Sequence, residues 1–304
     1  MAPVVAKVCE PVTLGEGPHW DAASKSLYYV DIEGKKLMKY VPATKERTAV
    51  TLDDLVGFAV PVDGRPNVFV AGLKRRIVLV TWDGRSETPE IVENLLEVQK
   101  DVKVDLLRIN DGKADPNGRI WAGTMSRLEV GAEDGVLFYV SQDRKAHVRQ
   151  TNVGLSNGLA WTPDGKTMYY VDSLKKSVDV MSVDVTSGQI SDRKTLFSLE
   201  ANGIHGFPDG MTIDTEGKLW VAVYDGAKVL RIDPATGTLM STLDIPAPEV
   251  TSVAFGGDKL DELYVTTAAM RATKEVREKY PDAGALFRVT GLGVKGYAGV
   301  AAKI

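Results

Sequence analysis

The chain repeats itself. Five segments share one order of residue types: a small or polar residue, a short apolar run, a turn rich in Gly, Asp and Asn, then a second apolar strand. They read EGPHWDAASKSLYYVD, NDGKADPNGRIWAGTM, NGLAWTPDGKTMYYVD, DGMTIDTEGKLWVAVY and SVAFGGDKLDELYVTT, with a weaker sixth, GFAVPVDGRPNVFVAG. The aromatic residues of the second strands, Tyr29, Phe69, Trp121, Tyr170, Trp220 and Tyr264, recur every 40 to 52 residues. A third alternating segment follows each, such as KKLMKYV or AKVLRID. Period-2 alternation puts successive side chains on opposite faces of a strand. Several short strands per unit of this length are the signature of propeller blades. The expectation is an all-β, six-bladed β-propeller with a central metal-binding channel, filling residues 1–304 as a single domain. A strand at about Val4 to Cys9 is expected to pair into the last blade and close the ring. Ala269 to Lys279 is the best helix candidate.

Composition narrows the function classes. Lys and Arg total 37 and Asp and Glu 41, a net charge of −4. That gives no general attraction to nucleic acid or to an anionic membrane. The single cysteine, Cys9, permits no intrachain disulfide, which fits a reducing, cytoplasmic setting. No apolar run approaches the roughly 18 to 20 residues that span a bilayer, and MAPVVAKVCEPV lacks the pattern of a secretory signal. Ala302-Lys303-Ile304 loosely resembles a peroxisomal address; an ordinary strand end is the plainer reading. The expected partner is a small-molecule substrate, bound by a monomer.

Stepping 11 to 13 residues back from each aromatic anchor reaches Glu16, Phe58, Asn110, Asn157, Asp209 and Ser252. These positions begin the first strand of each unit, and first strands line a propeller's channel. Four of the six are Glu, Asn, Asn and Asp, all offering oxygen acceptors and two of them anionic. Carboxylates meeting in a tunnel repel unless a proton or cation intervenes. One divalent ion, Ca²⁺, Mg²⁺ or Mn²⁺, fits oxygen donors, with Zn²⁺ a weaker match. Asn157-Gly158 and Asp209-Gly210 are also plain turn signals, so the recurrence at one register carries the ligand reading. Arg108, two residues before Asn110, faces the same side of a strand and offers forked donors to an anionic or polyhydroxylated substrate. His19 and His205 lie near the expected mouth. The tryptophans at 20, 121, 161 and 220 are expected to pack between blades.

These stretches resemble the family of regucalcin (senescence marker protein), gluconolactonase and the insect luciferin-regenerating enzyme. The resemblance is carried by GEGPHWD, RINDGKADPNGRIWAGTM, SNGLAWTPDGKTMYYVDS, PDGMTIDTEGKLWVAVYDG, VTSVAFGG with ELYVTTA, and RVTGLGVKG, spanning residues 15 to 296. The TWDG at Asp83 and the C-terminal VTGLGVKGYAGV look most like the luciferin-regenerating branch. The resemblance implies one divalent metal held by Glu16, Asn157 and Asp209, with Arg108 and Asn110 on the substrate. Where regucalcin carries a Glu after its GTM, this chain has Leu128, with Glu129 one step later, which argues against strict sugar-lactone specificity. The implied activity is metal-dependent hydrolysis of a lactone or related ester, with Asp209 both ligand and general base. The alternatives are conversion of oxyluciferin toward luciferin, and a non-enzymatic calcium-binding regulator.

Overall fold

The computed structural model describes residues 2–101, 106–127 and 132–304. Leu128 and Glu129 lie outside the described residues. Antiparallel strands dominate, arranged as a β-propeller. Four sheets are separate four-stranded meanders, and the other eight strands form one sheet. Within that sheet, the strands from Phe207 to Asp244 and those from Glu249 to Thr290 each run as a meander. A single ladder pair, Tyr224 with Glu249, joins the two. The expectation of six separate sheets is therefore met by four, and one bridging pair fuses the rest.

The first strands are Gly15–Asp21, Val56–Val62, Leu107–Ala114, Ser156–Trp161, Phe207–Ile213 and Glu249–Gly256. Each packs against the next, and the last packs back onto the first. They form a closed ring around the axis. The strand Val4–Cys9 pairs antiparallel with Leu286–Thr290, as the sequence predicts, so the beginning of the chain completes the final meander.

The apolar core lies between neighbouring sheets. One packet gathers Trp121, Tyr139, Trp161 and Tyr170; another holds Trp20, Tyr29, Tyr40 and Tyr264. All six aromatic anchors are buried. Asp115 and Asp214, in the turns before two of the anchors, accept hydrogen bonds from Trp121 Nε1 at 3.1 Å and Trp220 Nε1 at 3.0 Å. The Asp that closes each YYVD segment is structural as well: Asp31 accepts from the Leu14 amide at 2.9 Å and Asp172 from the Leu155 amide at 3.0 Å. Each catches the chain as it enters its sheet and satisfies an otherwise buried donor.

The helix is shorter than expected. It spans Lys274–Lys279, because the preceding strand runs on to Ala268 and the Thr273 side chain caps the Val276 amide. A hydroxyl at the N-cap satisfies one of the orphan donors of the first turn. Beyond Thr290 the chain crosses one end of the ring. Gly299 N donates to Trp20 O, Ala302 N to Pro61 O and Lys303 N to Gly118 O. Ala302 is fully buried. Ala302 forms an isolated bridge with Val62, while Lys303 is exposed and Ile304 half-buried.

Candidate functional site

The residues picked from the repeat register all head their first strands, and every first strand is irregular at that point. Ladder register shifts between Glu16 and His19, Val56 and Ala59, Ile109 and Asp111, Asn157 and Leu159, Pro208 and Met211, and Val250 and Ser252. A bulge re-aims side chains that strict alternation would send elsewhere. Asn157-Gly158 and Asp209-Gly210 are accordingly strand residues and not turns. Gly158 answers to packing: a Cβ there would sit 2.5 Å from Asp209 O on the next strand.

Glu16, Asn157 and Asp209 are buried. The two carboxyls act on one another, and each is forced away from its ordinary state. Burial, then the charge of Asp111, pushes the Glu16 carboxyl up to about 8. Burial, then the charges of Glu16 and Asp111, raises Asp209 well above the usual carboxylate range. Glu16 Oε2 accepts from the Gly17 amide at 2.9 Å. Asp209 Oδ1 is buried with no hydrogen-bond partner among the described residues.

A chain of hydrogen bonds orients the amides. Ser173 Oγ donates to Pro208 O at 2.7 Å, so it must accept from Asn157 Nδ2 at 2.8 Å. That fixes Asn157 Oδ1 on the other side, where Asn110 Nδ2 donates to it at 3.0 Å. Asn110 Nδ2 also donates to Ser156 O at 2.7 Å, and its Oδ1 accepts from Arg108 Nη1 at 2.6 Å. Arg108 and Asn110 are thus linked to Asn157, and the Asn110 amide hydrogens are both in use. Asn110 acts as a bridge that positions Asn157 and Arg108. Burial lowers Arg108 to about 10, which leaves it cationic at neutral pH.

Phe58 and Ser252, at the same register, are buried fillers beside Gly112 and Gly210. The histidines are elsewhere. His19 is buried three residues further along its strand, and His205 is exposed beside Asp225 at 3.3 Å. Two residues escaped the sequence reading. Asp111 is a buried carboxyl that alternation sends away from Asn110, until the bulge turns it inward. Ser173 follows the YYVD segment of its unit, opening the short 3-10 turn Ser173–Lys175, and supports Asn157 from there, outside the register that singled out first strands.

Among the described residues no three His, Cys, Asp or Glu side chains form a ready metal cluster. The set at hand is two carboxyls and an amide oxygen. Its chemistry nonetheless fits a hard dication. All donors are oxygen, one carboxyl oxygen has no partner, and the paired carboxyls need a positive charge to ionise together.

Comparison with known proteins places this site in context. Residues 14–269 match the family described as SMP-30/Gluconolactonase/LRE-like region. Regucalcin from Danio rerio is 41% identical over 284 residues, covering 93% of this chain and 92% of that one. Regucalcin from Homo sapiens is 40% identical, covering 93% of each. A solved luciferin-regenerating enzyme superposes with a TM-score of 0.95 at 44% identity over 100% of both chains. An Agrobacterium tumefaciens calcium-binding protein, regucalcin, superposes at 0.87 with 24% identity, covering 97% of this chain and 95% of that one; it shows a shared fold.

Proposed function

The chain belongs to the SMP-30/gluconolactonase/LRE-like family, and from that premise we propose that it is a divalent-metal-dependent hydrolase of a lactone or related ester. The observation that carries the reading is the buried Glu16–Asp209 pair with its unpartnered Asp209 oxygen. In this reading the ring counts as six blades, the fused sheet being two, and its channel holds one ion through Glu16, Asn157 and Asp209. When bound, such an ion neutralises the carboxylate pair and supplies Lewis-acid polarisation of a carbonyl.

The chain's own groups do the rest. Asp209 Oδ1, free of protein donors, takes the proton of the attacking water. The hydroxide so formed bonds to the carbonyl carbon; as the tetrahedral adduct collapses the ring C–O bond breaks, and the protonated Asp209 returns its proton to the leaving alkoxide. The Arg108 guanidinium holds an anionic or hydroxylated substrate against the pair. Asn110 keeps Arg108 and Asn157 in place. The substrate is a small molecule.

Asp209→Ala tests this. Lactone hydrolysis measured with and without added Mn²⁺ or Ca²⁺ should fall by at least about a hundredfold, the usual scale of a positioned base. Unchanged turnover removes Asp209 from the chemistry.

The full-length match to a luciferin-regenerating enzyme supports a second reading, action on oxyluciferin. Light recovery in a luciferase reaction containing oxyluciferin, with Asp209→Ala as control, separates the two. Tight Ca²⁺ binding with no turnover on either substrate class would replace both with a calcium-binding regulator.

A further inference from the structure

A cavity of about 360 Å³ lies at the other end of the channel. It is lined by the far halves of the same first strands. His19 stands three residues past Glu16, Lys113 three past Asn110, Trp161 four past Asn157, and Phe255 three past Ser252. The chain segment after Thr290 forms its remaining wall through residues 297 to 300. That wall is specific. Gly299 lies directly on the His19 ring, where any Cβ would collide with the imidazole, and its amide is tied to Trp20 O.

The lining has a chemical sense. Its volume is at the lower end for small-molecule pockets. Trp20, Trp161, Phe255 and prolines supply flat apolar walls. Trp161 is 5% exposed, and its Nε1–H has no partner. The indole N–H groups of Trp82, Trp121 and Trp220 are all bonded. A buried donor left unmade costs roughly 1–3 kcal/mol, so Trp161 stands out. Lys113 Nζ spends one hydrogen on Met211 O at 2.7 Å and has two more to offer. No Asp or Glu is among the lining residues. The cavity lining therefore presents aromatic walls, hydrogen-bond donors and a cation, and carries no carboxylate of its own, although the Lys113 charge also feels Asp111 and Glu16 of the acid cluster.

We propose that this cavity is a second ligand site, at the opposite end of the ring from the acid cluster, for a compact aromatic carboxylate. The ring of the ligand lies among Trp161, Phe255 and the prolines. Its carboxylate accepts from Trp161 Nε1 and Lys113 Nζ. The site rests neither on a metal nor on the hydrolase reading.

Calorimetry and tryptophan fluorescence with benzoate, phenylacetate and indole-3-acetate, each against its neutral amide, test the site. Saturable binding is expected, with the acid preferred over its amide. Trp161→Phe keeps the wall and removes the donor, and should weaken the acid roughly five- to tenfold, the scale of one hydrogen bond. Lys113→Met should abolish the preference for acid over amide. Asp209→Ala should leave binding unchanged. Where Lys113→Met is poorly folded by circular dichroism, the Trp161→Phe result and the acid-to-amide ratio of the unmodified protein decide. No saturation at millimolar ligand overturns the proposal. So does binding lost in Asp209→Ala but intact in Trp161→Phe, which would put the ligand at the acid cluster.

Discussion

Single residues in this channel are held in states that water would not allow, and His19 shows the consequence most simply. Burial lowers its imidazole to about 4, from 6.5, with Asp21 opposing and Lys113 assisting. Between those values the unfolded chain binds more protons than the native one. Stability therefore climbs with pH through that window, is fully present above about 6.5, and is lost toward 4, by up to about 3 kcal/mol. Glu16 and Asp209, raised by burial, act in the opposite sense over the same range, so the His19 share is read as the difference between the unmodified protein and His19→Gln in urea unfolding at pH 5 and pH 7. Gly158 makes a second test. Its substitution by Ala places a methyl 2.5 Å from Asp209 O and should cost about 1–3 kcal/mol, as overpacking does. An unfolding midpoint equal to the unmodified protein's would show that the two strands can separate freely. Glu16, Asn157 and Asp209 were legible because each recurs at one register of a repeat. Asp111 was not, because its orientation depends on a bulge that alternation cannot foresee. Ser173 was missed because its role runs through hydrogen bonds from a turn after the second strand to two first strands.

The strands themselves were largely readable, since an aromatic anchor and a turn signal mark each unit. What periodicity could not give was the fusion of two meanders through Tyr224 and Glu249, because one ladder pair leaves no pattern. Nor could it give the path after Thr290, where the sequence is short of alternation and position is set by contacts with Trp20, Pro61 and Gly118. The closing strand was foreseen, and it defines a prediction. Deleting residues 1–9 uncovers the edge of Leu286–Thr290. Open edges invite pairing with other chains. The truncated protein should melt earlier and elute from size exclusion as larger species. A monomer with unchanged melting would mean that the strand is decoration.

For the whole molecule, the ring is a scaffold that brings carboxyls from separate sheets to one axis, at a cost in electrostatic strain. A cation that binds only this arrangement returns stability by mass action, about 2.7 kcal/mol at a hundredfold excess over its dissociation constant. Added Ca²⁺ or Mn²⁺ should raise the melting temperature, a chelator should reverse it, and Glu16→Gln should abolish most of the response. Melting indifferent to these ions would remove the metal from the proposal. The same closure bears on biosynthesis. Val4–Cys9 is made long before its partner, Leu286–Thr290, which lies far along the chain. At ribosomal speeds of about 5–20 residues per second, the opening strand waits unmated for some tens of seconds. The newborn chain thus carries an unmated edge until that distant partner appears, so the pairing is a long-range docking timed by the ribosome's pace more than by local propensity.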